Sequence, residues 1–188
     1  VQMLNILVSG ASGFVGSHFV GIYKNFNYFY LNNTKSFANG INASSEIDEI
    51  SKYIIQNKID YVLHLATYFT RSDNASEINA MLDANLVLGI KLLAAGKHAG
   101  VKKFIYAGSY YEYFDNKGLF PNSLYAVTKK SLDTYAEYYS RCSSMKIAKL
   151  VLCDNYGPND PRDKILNKML NSIIDPLVIK DSKSQIAP

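Results

Sequence analysis

With 188 residues, a net charge of +4 and 48% hydrophobic side chains, the chain is long enough to bury one core. Its Lys and Arg residues are scattered, so no nucleic-acid or membrane partner is expected. Cys142 and Cys153 stand in no metal-ligand or redox spacing, which excludes a metal centre or disulfide scaffold built on them. The apolar start Leu4 to Val8 is too short for a leader core, and no apolar run approaches a membrane span; a cytoplasmic protein is expected.

In chain order, the first β-rich run predicts a strand over Asn5–Ser9. Gly10-Ala11-Ser12-Gly13-Phe14-Val15-Gly16 follows it and opens a helix over Phe14–Lys24, the context in which a glycine turn seats a pyrophosphate on a helix N-terminus. A second strand over Tyr28–Leu31 runs into Leu31-Asn32-Asn33-Thr34-Lys35, which holds amides and a lysine but no acid. An acid there would bind both ribose hydroxyls and repel a 2′-phosphate, so this composition leans towards NADP(H), although Asn32 and Asn33 read equally well as turn residues. Gly40 to Ser45 reads as a loop, and Glu46–Asn57 as a helix. Further strands are predicted at Tyr61–Leu65, Lys103–Ala107 and Ile147–Leu152, with helices at Ser76–Ala99 and Ser123–Cys142 and a loop at Asp115 to Asn122. Strand and helix in alternation predict an α/β fold, a doubly wound parallel sheet.

Ser109 closes the fourth of these strands, at the carboxyl edge where open α/β sheets bind ligands. Tyr125 and Lys129 lie four apart and share a helix face. A cation beside a phenol favours the phenolate, so the pair is expected to act as a proton donor with a depressed tyrosine pKa. The polar stretch from Asp154 to Arg162, punctuated by Pro158 and Pro161, predicts a loop at the same edge; a helix near Lys164–Ser172 and a short run Leu177–Lys180 follow.

Taken in order, Gly10-x-x-Gly13-x-x-Gly16, the strand Asp60 to Ala66, Asn85-x-x-x-Gly89, Ser109, Tyr125-x-x-x-Lys129 and Tyr156-Gly157-Pro158 resemble the extended short-chain dehydrogenase/reductase family of nucleotide-sugar enzymes. The resemblance implies a Rossmann domain over residues 3–162. It also implies that 163–188 begin a substrate-binding lobe largely absent from this chain. Around the cofactor it places Gly10, Ser12, Gly13, Phe14, Val15 and Gly16, then Asn32, Leu65, Ala66 and Ala107, with Tyr125 and Lys129 at the nicotinamide end. Ser109, Tyr125 and Lys129 are the implied catalytic set. Thr67, Ser109, Tyr110, Asp154, Asn155 and Arg162 fall to the nucleotide sugar, and Arg162 and Lys164 are weighed evenly between diphosphate partners and solvated cations. His64 reads as a strand residue packed near the cofactor, not a catalyst. In relatives the two long helices pair across a homodimer.

Departures from the family pattern refine the reaction. Tyr110-Tyr111 follow Ser109 where the sugar dehydratases carry an Asp-Glu pair, and Glu112 comes one place late, so dehydration is disfavoured. The family's epimerases usually hold NAD through an acid after the second strand, and its absence here disfavours the NAD-dependent 4-epimerase, which stands as the alternative; a non-catalytic dinucleotide sensor or RNA-binding relative is a third reading. The short loop after Ser109 and the Asp154-x-Tyr156-Gly157-Pro158-x-Asp160-x-Arg162 pattern look most like CDP-sugar 4-ketoreductases, with NADP as cofactor and NAD as the alternative.

Overall fold

Six short strands line up in the order β3-β2-β1-β4-β5-β6, and every pairing is parallel, with the inner strands β1 and β4 the most buried. The computed structural model describes residues 3–33, 35–72, 74–113, 121, 123–162 and 168–169. The strands are β1 (Asn5–Ser9), β2 (Asn27–Asn32), β3 (Gly40–Asn42), β4 (Tyr61–His64), β5 (Lys103–Ser109) and β6 (Lys146–Leu152). The helices are α1 (Phe14–Ile22), α2 (Ile47–Gln56), α3 (Ala75–Leu82), α4 (Leu88–Ala99) and α5 (Leu124–Arg141). Strand order reverses between β2-β1 and β4-β5, which opens a crevice at the carboxyl ends of β1 and β4.

Because side chains alternate across a strand, neighbouring positions feed two cores. Leu7, Leu31, Val62 and Phe104 meet Ile50 and Ile54 of α2, Leu92 and Leu93 of α4 and Leu132 of α5. On the opposite face Ile6, Val8 and Leu63 pack with Phe19 of α1. Each fully buried Leu or Phe contributes roughly 1.5–3 kcal/mol, so the sheet is held rigidly where its carboxyl edge carries chemistry.

Three features differ from the sequence reading. Gly40–Asn42, expected within a loop, forms the edge strand β3, paired with β2 through Tyr30↔Gly40 and Asn32↔Asn42; main-chain pairing needs no apolar pattern at an edge. The single expected helix over Ser76–Ala99 is interrupted by a π segment at Asp83–Val87, a distortion frequent at functional sites. Finally, Ala75–Ala99 is long and apolar enough to cross a bilayer, with a mean hydropathy of 1.5 over its most apolar window. Here Met81, Leu92 and Leu93 of that helix are buried against the rest of the fold. The expected helix near Lys164–Ser172 is described only at Lys168 and Met169, and the run Leu177–Lys180 lies outside the described residues.

Candidate active site

The glycine turn between β1 and α1 is shaped by close backbone approach. Gly10 has φ +76°, and a Cβ built there would stand 2.6 Å from the Ala66 backbone nitrogen. At Gly16 a Cβ would fall 2.2 Å from the Gly10 carbonyl oxygen. Only glycine fits either place, so β1, the turn and the end of β4 close on one another and leave the turn's backbone bare. Ser12 and Gly13 are exposed on it, Phe14 and Val15 half-buried behind it. Ser9 and His64 are register partners on β1 and β4, and Ser9 Oγ and His64 Nδ1 lie 2.7 Å apart, buried. Burial, with the nearby Lys129 charge, drops the His64 pKa to about 3. His64 is therefore a neutral packing residue, as its strand position implied.

After β2, the Asn32 amide is spent on the turn that follows. Its Nδ2 donates to the Phe37 carbonyl at 3.2 Å and its Oδ1 accepts the Phe37 N–H at 3.1 Å. This is the turn-residue reading, not a side chain aimed at a ribose. Beside the glycine turn, Ser12, Ser17, Lys24, Tyr30, Lys35 and Phe37 line a cavity of about 290 Å³.

Ser109 ends β5, and Ser123 caps α5 by accepting the Ala126 N–H at 3.3 Å, which fixes Tyr125 in the helix's first turn. The Phe69 ring stands edge-on to Tyr125, with centroids 5.1 Å apart. The π segment matters here. It carries buried Asn85, whose Oδ1 accepts the Thr67 hydroxyl at 2.9 Å and the Tyr68 N–H at 2.7 Å. Asn85 Nδ2 donates to Thr128 Oγ1 at 3.1 Å, and that hydroxyl donates to the Tyr125 carbonyl at 2.7 Å. One side chain thus ties the loop after β4 to the turn of α5 that carries Tyr125.

Burial holds the Tyr125 phenol above the ordinary tyrosine pKa, against hydrogen bonds from the Thr67 and Ser109 side chains that favour ionisation. The expected depression by Lys129 is therefore corrected: dehydration of the ring outweighs the groups that favour the phenolate. Lys129 itself is 2% exposed. Burial lowers its pKa to about 8, with Glu112 and Asp133 favouring the charge and Lys149 opposing it. Its Nζ is buried with no hydrogen-bond partner among the described residues, a costly state unless a ligand supplies acceptors.

Leu65 and Ala66 lie half-buried at the crevice and Ala107 is buried within β5, while Tyr110 is half-buried in the turn after Ser109. The structure does not bring every expected contact into the open. Arg162 donates from Nε and Nη2 to the Asp160 carboxylate, at 2.6 Å each, and from Nη2 to Asn155 Oδ1 at 2.8 Å. Its guanidinium stacks 4.7 Å from the Phe14 ring centroid. It pins the loop from Asp154 onto the start of α1, so its charge is already paired; Asp154 is exposed on that loop, and Lys164 lies outside the described residues. Asn85 as a hub, and the buried Glu112, were not read as site residues in the sequence: their roles depend on the π segment and on strand neighbours far away in the chain. Among the described residues no cluster suited to a metal ion occurs.

The fit to a dinucleotide is good. The bare glycine turn at a helix N-terminus suits a pyrophosphate, and the orphaned Lys129 ammonium suits a pair of hydroxyl acceptors. Comparison with known proteins agrees. The family model described as NAD dependent epimerase/dehydratase family matches residues 6–185. CDP-abequose synthase of Yersinia pseudotuberculosis is 25% identical over 90% of this chain and 62% of its own length. The Salmonella typhimurium protein of the same name is 28% identical over 94% and 60%. The chain thus spans about three fifths of the curated relatives it matches. Among solved structures, MoeE5 in complex with UDP-glucose and NAD superposes with TM-score 0.75 at 22% identity, over 89% of this chain and 60% of that one. UDP-glucose 4-epimerase of Thermotoga maritima, solved with UDP-glucose, gives 0.70 at 25%, over 82% and 57%.

Proposed function

We propose, from the premise that this chain belongs to the NAD dependent epimerase/dehydratase family, that it serves reduction of the 4-keto group of a CDP-linked deoxyhexose with NADPH. The observation that carries the reading is one cluster: the Thr67, Ser109 and Tyr125 hydroxyls meet at the carboxyl edge of the sheet, one helical turn from the buried Lys129 ammonium, which has no hydrogen-bond partner among the described residues. The glycine turn would seat the pyrophosphate, Leu65 and Ala66 would line the nicotinamide side, and Lys129 would donate to its ribose hydroxyls. When bound, the dinucleotide supplies the hydride. Ser109 holds the carbonyl oxygen by hydrogen bonding, and Tyr125 gives that oxygen its proton. Burial keeps the phenol protonated across neutral pH, the state an acid must be in.

Preference for NADPH is supported by Lys24 and Lys35 in the cavity beside the glycine turn, where two cations suit a 2′-phosphate and no acid stands among the described lining residues. Likeness to the CDP-abequose synthases supports the sugar class. Epimerisation at the same carbon is the second reading, supported by the 25% identity to the Thermotoga maritima 4-epimerase. A CDP-4-keto-6-deoxyhexose is expected to draw down NADPH stoichiometrically at 340 nm. Inversion at C4 of a 4-hydroxy nucleotide sugar, with no net change in the cofactor's redox state and no consumption of NADPH with the keto sugar, would establish the epimerase instead. A homodimer belongs to the same proposal. Leu124, Val127, Tyr135 and Tyr138 form an exposed stripe along one face of α5, the helix that pairs between subunits in the family.

A further inference from the structure

Glu112 sits in the 3-10 turn Tyr110–Tyr113 that follows Ser109, 1% exposed, and has no part in the reaction just described. Its Oε1 accepts the Ser109 backbone N–H at 2.5 Å. Its Oε2 is bonded by the Lys149 ammonium, which arrives from β6, the neighbouring strand. The path is cleared by Gly108: a Cβ there would stand 2.2 Å from Lys149 Cε and 2.9 Å from Glu112 Oε1. Lys149 also donates to Asp133 Oδ2 of α5 at 2.8 Å and to the Tyr113 hydroxyl at 3.3 Å. Asp133 Oδ1 in turn accepts the Tyr106 hydroxyl at 2.8 Å. Four elements therefore meet on the buried Glu112 carboxylate and the half-buried Lys149 ammonium and Asp133 carboxylate.

Such a cluster is costly to bury, and apolar side chains of the same volume would often serve stability as well. A carboxylate gains something an apolar group cannot: a charge-assisted N–H···O bond, shorter and about twice as strong as a neutral one. That bond falls on Ser109. The Ser109 Oγ also accepts the Tyr111 N–H at 3.3 Å, so the main chain on both sides sets where its hydroxyl points, and its O–H is left for the crevice. We infer that Glu112, held in place by Lys149, is a positioning residue that orients the Ser109 hydroxyl towards Tyr125 and the substrate oxygen.

The inference rests on the proposed reduction, and the test separates the two. In the full chain, Glu112→Ala lowers kcat by about tenfold to a hundredfold, the cost of a small misplacement, with KM and cofactor affinity within about twofold. Glu112→Gln keeps an acceptor and recovers much of that loss. Because either variant takes from Lys149 one of its two carboxylate partners, Glu112→Leu combined with Lys149→Met supplies the apolar replacement, expected to fold as stably as the parent yet to keep the low kcat. In ¹H–¹⁵N spectra the Ser109 amide proton lies far downfield and moves upfield in Glu112→Gln. A double variant with full kcat, or a Ser109 amide indifferent to Glu112, overturns the inference. An unmutated chain that reduces no keto sugar overturns the reductase reading instead, and the amide signal still decides whether Glu112 holds Ser109.

Discussion

Tyr125→Phe is expected to lower turnover of a keto sugar by about 10²–10⁴-fold, while the affinity for the dinucleotide stays within about twofold. The substitution isolates the hydroxyl. Phenylalanine keeps the edge-on contact with Phe69 at 5.1 Å between centroids, and Ser123 still caps α5, so the ring and helix stay in place. What is lost is the proton donor and its hydrogen bonding with the Thr67 and Ser109 side chains. The exposed Thr67 and buried Ser109 hydroxyls keep their bonds to Asn85 and the Tyr111 N–H, so the cost is on the order of 1 kcal/mol each at most, too little to unfold the domain. A fall in kcat/KM carried by kcat, with unchanged dinucleotide titration, is the expected pattern. Turnover left intact in this variant removes Tyr125 as the acid, and a matching loss of cofactor affinity makes it a binding residue.

The direction of the Tyr125 shift matters for how such an acid works. A phenol lowered by a neighbouring ammonium would be the stronger acid and would be ionised more often near neutrality, as proton abstraction in the oxidising direction requires. Tyr125 is instead lifted by burial, which keeps the phenol protonated but makes it a weaker acid than a free tyrosine. The sequence could place Tyr125 and Lys129 on one helix face but carried no information on how much water each would lose, and that loss reverses the expected sign. The same limit applies to Asn32. Its position at the end of β2 was legible from the strand pattern, whereas its bonds to Phe37 depend on how the chain turns next.

Spacing and order made the larger architecture readable: the glycine turn between a strand and a helix, Ser109 at a strand's end, and the helical pair at 125 and 129 all stand where the motifs require. Features set by tertiary pairing were not readable. Gly40-Ile41-Asn42 lacks a strand's apolar signature and becomes β3 only because β2 offers an open edge. Glu112 and Lys149 are 37 residues apart, and a Lys within a β-rich run reads as a solvated edge until Gly108 is seen to let it cross to the carboxylate. Asn85 was legible only as part of the Asn85-x-x-x-Gly89 motif; its bonds to Thr67, Tyr68 and Thr128 come from a π segment that no local pattern announces.

Lys129→Met should make the fold more stable while it weakens the cofactor site. In the chain without ligand, the Lys129 ammonium is buried with no hydrogen-bond partner among the described residues, and its pKa of about 8, set first by burial, lies below the ordinary 10.5. A base that holds its proton less tightly when folded opposes folding while both states are protonated. The gap corresponds to an upper bound of about 3 kcal/mol below pH 8. Between about pH 8 and 10.5 the unfolded chain binds more protons than the folded one, so this opposition fades as pH rises. Methionine fills the space without the charge, and a gain of about 1–3 kcal/mol at pH 7 corresponds to roughly 5 °C in Tm. The difference between variant and parent should shrink towards pH 10, a comparison that cancels the contribution of the other titrating tyrosines. Saturating dinucleotide should then reverse the order, since a ligand stabilises in proportion to its affinity for the folded state and ribose hydroxyls would satisfy the ammonium that methionine lacks. Urea unfolding at pH 7 and pH 10, with and without NADPH, measures all four stabilities. A variant less stable than its parent at pH 7 shows that Lys129 is a structural cation already satisfied within the fold, and the site then loses its claim to an empty place for the ribose.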